Sequence, residues 1–124
     1  MKIKTFTLIR IGLALIFLAQ SITAFSNPSD FSELLSGSLV SHLLPVSVEH
    51  FVFFIGINDG IVALCLLFGF DLGLVTIWAG LWIVGVIITK GTSGAYLEAL
   101  ESLGFLFMAV DLIIVLKEKK QLAK

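Results

Sequence analysis

Four long apolar segments constrain this chain more than any other feature. Bilayers need about 20 apolar residues for each helix that crosses their hydrocarbon core. Every backbone polar group inside that core must also be satisfied within the crossing segment. We therefore predict four transmembrane helices in a single membrane domain that covers residues 1–124. The predicted spans run from about 6 to 25, 51 to 70, 72 to 89 and 96 to 116.

Very short connections join the later spans. Residues 69–73 link the second span to the third, and residues 90–94 link the third to the fourth. Connections this short place consecutive helices side by side, so we predict an all-α, up-down four-helix bundle. With 14% charged and 58% hydrophobic residues, against about 25% charged in soluble domains, the chain is not expected to be disordered, to bind nucleic acid or to be a cytosolic enzyme.

The basic residues predict the orientation of the bundle. Cytoplasmic ends of transmembrane helices carry an excess of lysine and arginine. Seven of the eight basic residues lie before or near the start of the first span or after the fourth, and only Lys90 lies on the opposite side. We therefore expect a multi-pass protein of the cell membrane (inner or plasma) with both termini cytoplasmic. The seven residues are Lys2, Lys4, Arg10, Lys117, Lys119, Lys120 and Lys124.

A cleaved signal peptide is the alternative interpretation of residues 1–24. The sequence Ile22-Thr23-Ala24 has the small terminal residue of a cleavage site. Arg10 and the length of the apolar run argue against cleavage, because signal peptides have a short and uncharged apolar region. A mature chain beginning near Phe25 would contradict the four-helix prediction.

The loop of residues 26–50 is the one sizeable segment between predicted spans. Asn27 and Pro28 are typical of a helix start, as cap and first helical residue, and Pro45 should end the segment. We predict a short interfacial helix on the outer surface. Its apolar positions at helical spacing are Phe31, Leu34, Leu35, Leu39 and Leu43.

Two ionisable residues near the cytoplasmic ends of the spans are predicted to pair. Charges at mid-membrane cost about 2.5–3.5 kcal/mol each. Arg10 in the first span and Asp111 in the fourth both lie about five residues, or about 7 Å, inside those ends. We predict an ion pair that joins the first and last helices. In the alternative, Arg10 extends to lipid phosphates and Asp111 to cytoplasmic water.

Asp59 lies near the middle of the second span. An acid that exchanges protons inside a membrane is typical of a proton relay or a coupled carrier. In the alternative, Asp59 hydrogen-bonds Ser21, Gln20 or a backbone carbonyl and only holds helices together. Gly56 and Gly60 bracket it, so another backbone is expected to approach closely.

Further polar residues lie at the outer ends of the spans. Glu98 and Glu101 are three residues apart on one helical face, and Gln20 lies at a depth similar to that of Glu101. Together with Asp59, they predict a polar pocket between the first, second and fourth spans.

Two loop histidines are weak candidates for metal ligands. His42 and His50 lie in the outer loop, on the same side as the two glutamates. No tight ligand spacing supports a zinc site, and solvated loop histidines are much commoner. We therefore predict no metal.

Three short motifs resemble the DoxX-type family of small membrane proteins. Residues 8–18 (LIRIGLALIFL) resemble the opening helix of that family, and residues 96–101 (YLEALE) resemble the start of its fourth helix. Residues 56–60 (GINDG), leading to 66–69 (LLFG), resemble the second helix, with Asp59 in place of the family's glutamate. The resemblance implies a four-helix inner-membrane protein, which in some members is a subunit of a thiosulfate:quinone oxidoreductase.

Residues and resemblance together lead to three functional hypotheses. The first is an auxiliary subunit of membrane redox chemistry that binds a small molecule or quinone and has no catalytic activity of its own. The second is a proton-linked carrier or permease module that uses Asp59. The third is a structural membrane partner protein. The bilayer is the expected surrounding, with a homodimer or a redox complex as the expected assembly.

Overall fold

The computed structural model describes residues 2–122, with side chains from Phe6 to Lys120, and contains helices and short connections in that range. Lys124 and the side chains of Lys2 and Lys4, which were used to predict orientation, lie outside this description. The helices are α1 (Lys2–Ser26), α2 (Pro28–Ser36), a short 3-10 helix (Leu39–His42), α3 (Val48–Phe68), α4 (Leu72–Thr92) and α5 (Tyr96–Leu122).

Four of these helices are long and apolar enough to cross a membrane, as the sequence predicts. This is the length and composition of a multi-pass membrane protein. The apolar stretches overlap all four predicted spans and differ from them by a few residues at the ends. They are Phe6–Ser26, Val48–Phe68, Leu72–Thr92 and Tyr96–Lys120.

A glycine sets the end of α3. The helix ends at Phe68, two residues before the predicted end, because Gly69 adopts a left-handed conformation with φ of 74°. Its backbone N–H and that of Phe70 both donate to the carbonyl oxygen of Cys65. Glycine is the residue best suited to such a helix end, since it lacks a Cβ.

The segment between α1 and α3 is helical in two pieces. Pro28 lies in the first turn of α2, as predicted. Asn27 makes no capping hydrogen bond with its side chain; instead its Nδ2 donates to Asp30 Oδ2 at 3.1 Å. The helical pattern predicted to continue to Leu43 is interrupted at Gly37 and resumes as the 3-10 helix, because glycine favours helix ends over helix interiors.

The transmembrane helices pack in two pairs. α1 packs extensively against α3, and α4 against α5, whereas contacts between the pairs are few. The core that joins them contains one fully buried alanine from each of these helices, and such small residues let helix backbones approach closely. These alanines are Ala14, Ala63, Ala79 and Ala109.

α1 and α3 touch most closely near Gly56. The Ser21 hydroxyl donates to the carbonyl oxygen of Gly56 at 2.7 Å. A Cβ added to Gly56 would lie 2.7 Å from Cζ of Phe25, and one added to Gly60 would lie 3.1 Å from Ser21 Oγ. The two glycines that bracket Asp59 in sequence thus form the contact surface for α1.

Candidate functional site

A cavity of about 150 Å³ lies between the two helix pairs. Its walls come from α1, α3, α4 and α5, and α2 and the 3-10 helix add three side chains and one side chain, respectively. Apolar cavities of about this volume can hold a benzene-sized molecule. Most of the lining is apolar, and the exceptions besides the indole of Trp82 are Gln20, Asp59, Thr89, Lys90 and Ser102.

A chain of polar side chains holds Asp59 at one part of this cavity. Asp59 is 3% exposed, and its Oδ1 accepts a hydrogen bond from Asn58 Nδ2 at 3.1 Å. Asn58 Oδ1 in turn accepts from Trp78 Nε1 at 2.8 Å. The indole of Trp82 lies beside the same carboxyl group. Two residues of α4 therefore fix the position of an acid on α3.

Replacing Trp78 by phenylalanine tests this chain of hydrogen bonds. The change leaves the buried Asn58 oxygen without its donor, which is expected to lower the free energy of unfolding by about 1–3 kcal/mol. Equilibrium unfolding in mixed detergent micelles measures the loss. Tyr96→Phe is the control, because Tyr96 is 74% exposed. Equal stability changes in the two variants would contradict a structural role for the Trp78–Asn58 bond.

Lys90 lines the cavity at a second point and was not predicted as a site residue. It is 9% exposed, and its Nζ donates to the hydroxyl oxygen of Ser102 at 3.1 Å. Among the described side chains, no carboxylate lies within 4.0 Å of this ammonium group. Lys90 lies eight residues beyond Trp82, which corresponds to about 12 Å along α4. Because Trp82 lies beside Asp59, the amine and the acid lie at different levels of the cavity.

The structure brings together two of the four residues predicted to form a polar pocket. Gln20 and Asp59 both line the cavity, whereas Glu98 and Glu101 are exposed and do not. On α5 the inward position is taken by Ser102, which is 1% exposed. Glu101 is the preceding residue and therefore points about 100° away from it around the helix.

The predicted ion pair between Arg10 and Asp111 is not formed within the described residues. The Arg10 guanidinium lies at the end of α3, where a Cβ on Gly69 would be 2.9 Å from Nη1, and its buried Nε has no hydrogen-bond partner. Asp111 is exposed, because the adjacent Leu112 takes the buried position on α5. The two charges share a depth in the sequence prediction but not a contact in the fold.

The two histidines lie outside the cavity. Both His42 and His50 are exposed, and Nδ1 of His50 lies 2.8 Å from the hydroxyl of Ser47 at the start of α3. In the part of the chain that the structure describes, no three His, Cys, Asp or Glu side chains come together as a metal site.

The helices leave a cavity between them, and few of the side chains that line this cavity are polar. Similarity to known proteins adds no assignment: no protein-family model, curated protein or solved structure matches the chain.

Proposed function

We propose that this chain is a multi-pass protein of the cell membrane that binds a small, largely apolar molecule with a polar head group in the cavity between its helix pairs. The observation that carries this proposal is the cavity itself, with apolar walls and a few polar groups that include Gln20 and Asp59. Ligand sites in proteins typically have this composition. The protein would act as an auxiliary subunit of membrane redox chemistry, without catalytic activity of its own.

A quinone is the ligand that we propose first. The resemblance to DoxX-type proteins favours it, and a quinone ring is similar in size to benzene, which fits a cavity of about this volume. The carbonyl oxygens of a quinone accept hydrogen bonds, and the amide of Gln20 offers donors. The isoprenoid tail of a natural quinone would leave the cavity between the helix pairs, where their contacts are few.

The proposal includes an up-down bundle with both termini cytoplasmic. The up-down order is supported by contacts at both ends of α1: Arg10 lies beside Gly69, and Phe25 lies against Gly56. The distribution of lysine and arginine supports the orientation. α2 would lie at the outer membrane–water interface, on the side of the bilayer away from the termini. There it would cover the cavity, which Phe31 and Leu35 help to line. The proposed assembly is a homodimer or a redox complex.

A proton-linked carrier is the second candidate function, and the position of Asp59 in the cavity wall favours it. A carrier would move protons together with its substrate across a sealed membrane, whereas a binding subunit would not. Proteoliposomes that contain a pH-sensitive dye distinguish the two. Acidification of the vesicle interior, driven by a substrate gradient, would favour the carrier function. Ligand binding without proton movement would favour the binding-subunit function.

Filling the cavity tests the proposed function. Gly85 lies in the cavity wall, and a Cβ added there meets no atom within 4 Å. Gly85→Leu is therefore expected to fold normally and to weaken quinone binding by at least about tenfold, or about 1.4 kcal/mol. Quenching of tryptophan fluorescence by a short-chain ubiquinone in nanodiscs measures binding, because Trp82 lines the same cavity.

Gly104→Leu is the matched control for this experiment. Gly104 is also an exposed helical glycine with open space around it, and it is not among the cavity residues. Its variant should bind the quinone with an affinity close to that of the unmodified protein. Equal quenching in both variants, or no saturable quenching in the unmodified protein, would contradict a quinone site in this cavity.

A further inference from the structure

We propose that the cavity selects an amphiphile with a single carboxylate head group, and that Lys90 and Ser102 bind this head group. The inference rests on the proposed function, because it assumes that the cavity binds a ligand, and it names a second ligand class that would compete with a quinone for the same space. Its basis is a buried ammonium group beside an apolar space, without an acidic partner among the described residues.

The first argument concerns the unmet hydrogen bonds of Lys90. An ammonium group has three N–H donors, and the described side chains supply one acceptor, the hydroxyl oxygen of Ser102. The neighbouring Thr89 hydroxyl donates to the carbonyl oxygen of Gly85 at 2.9 Å. Buried charges are normally paired, because an isolated charge loses its hydration. A ligand carboxylate would supply both a negative charge opposite the ammonium group and the acceptors for its remaining N–H donors.

The second argument concerns the shape of the space beyond Lys90. The cavity wall on α4 continues through Val86 and Ile83 to Trp82, over about 12 Å. Phe105 and Phe17 face the same space from α5 and α1. This arrangement fits an apolar chain that starts at the amine and extends toward Asp59.

The third argument concerns selectivity. A carboxyl group, that of Asp59, already occupies the far part of the cavity, so a second carboxylate on the ligand would meet a like group. A cavity of about 150 Å³ is also below the roughly 300–1,000 Å³ of sites that hold drug-sized molecules. We therefore infer a single-chain monocarboxylate rather than a dicarboxylate or a two-chain phospholipid.

Matched ten-carbon ligands test the inference in phosphatidylcholine nanodiscs. Decanoate, methyl decanoate and decanol share a ten-carbon chain and differ in the head group, and decanedioate adds a second carboxylate at the far end of that chain. The four are titrated over the same range of mole fractions in the bilayer. We expect decanoate to displace the ubiquinone probe at a concentration at least about tenfold lower than the other three. Direct binding of radiolabelled decanoate provides a readout that does not depend on the quinone.

Substitutions of Lys90 assign the preference to this residue. Lys90→Gln should remove the advantage of decanoate over methyl decanoate, and Lys90→Arg should retain it because the positive charge remains. Circular dichroism and unfolding in mixed micelles show whether each variant folds. If Lys90→Gln does not fold, the four-ligand comparison on the unmodified protein still tests the carboxylate preference, because it needs no variant.

The outcomes separate this inference from the proposed function. Equal displacement by decanoate and methyl decanoate would overturn the carboxylate inference and leave quinone binding intact. Saturable binding of radiolabelled decanoate without any quinone quenching would support the carboxylate inference and contradict the quinone assignment. Absence of binding by every ligand would overturn both.

Discussion

Replacing Leu66 by alanine is expected to lower the free energy of unfolding by about 2–5 kcal/mol, the range for truncated leucines in well-packed cores. Leu66 lies on α3, is 0% exposed and belongs to the core that joins the two helix pairs. In a membrane the loss arises from packing, because lipid is as apolar as the protein interior. The shortened side chain leaves a void whose lining atoms lose their dispersion contacts.

Leu64→Ala is the matched control for this core substitution. It removes the same atoms from the same helix two residues away, but Leu64 is 53% exposed, so lipid replaces the lost side chain. Its free energy of unfolding should change by no more than about 0.5 kcal/mol. Equilibrium unfolding of both variants in mixed detergent micelles provides the measurement. Similar losses in the two variants would mean that α3 presents a different face to the bundle.

Replacing Gly56 by leucine is expected to separate α1 from α3 and to cost about 1–3 kcal/mol, the usual range for overpacking. The cause is steric, because even the Cβ would lie 2.7–3.0 Å from three atoms of the Phe25 ring. The same unfolding measurement reports the loss. Gly104→Leu, at a helical glycine with open space around it, should be close to neutral.

A double substitution identifies the origin of the Gly56 effect. Phe25 is half-exposed, so Phe25→Ala alone should have a modest effect. If the ring causes the clash, then Phe25→Ala should recover part of the stability lost in Gly56→Leu. Strictly additive losses in a double-mutant cycle would contradict the contact between these two residues.

Hydropathy is sufficient to predict the four helices of this chain that are long and apolar enough to cross a membrane. Each apolar stretch is about as long as a bilayer is thick, and a helix satisfies its own backbone there. The same reasoning places Asp59 in the interior, because a carboxyl group within a span is costly in contact with lipid. Gln20 joins it in the cavity wall.

Which way each helix faces is harder to predict from the sequence. The residues that decide it on α5 are neighbours: Ser102 is buried beside the exposed Glu101, and Leu112 beside the exposed Asp111. A rotation of about 100° exchanges one for the other, and depth arithmetic contains no information about rotation. That is why the predicted pocket included glutamates that lie outside it.

Lys90 shows a second limit, which concerns contacts between distant segments. A lone lysine at the end of a span looks like a solvated residue that helps set orientation. It is buried because the segment that follows α1 packs over the end of α4, where the backbone N–H of Leu39 donates to Thr92 Oγ1 at 3.0 Å. The sequence feature that could have drawn attention to Lys90 is that it is the one basic residue at that end of the predicted spans.

The division into two helix pairs has a consequence for the assembly of the fold from its two halves. Each pair is a continuous stretch of chain, and the turn around Gly69 and Asp71 is the covalent connection between the two stretches. Two halves expressed as separate polypeptides, cut at that turn, would therefore each keep the more extensive helix packing, α1 with α3 or α4 with α5. The cavity would form only when the halves associate. A ligand that binds in it would therefore shift the equilibrium toward the associated halves by mass action.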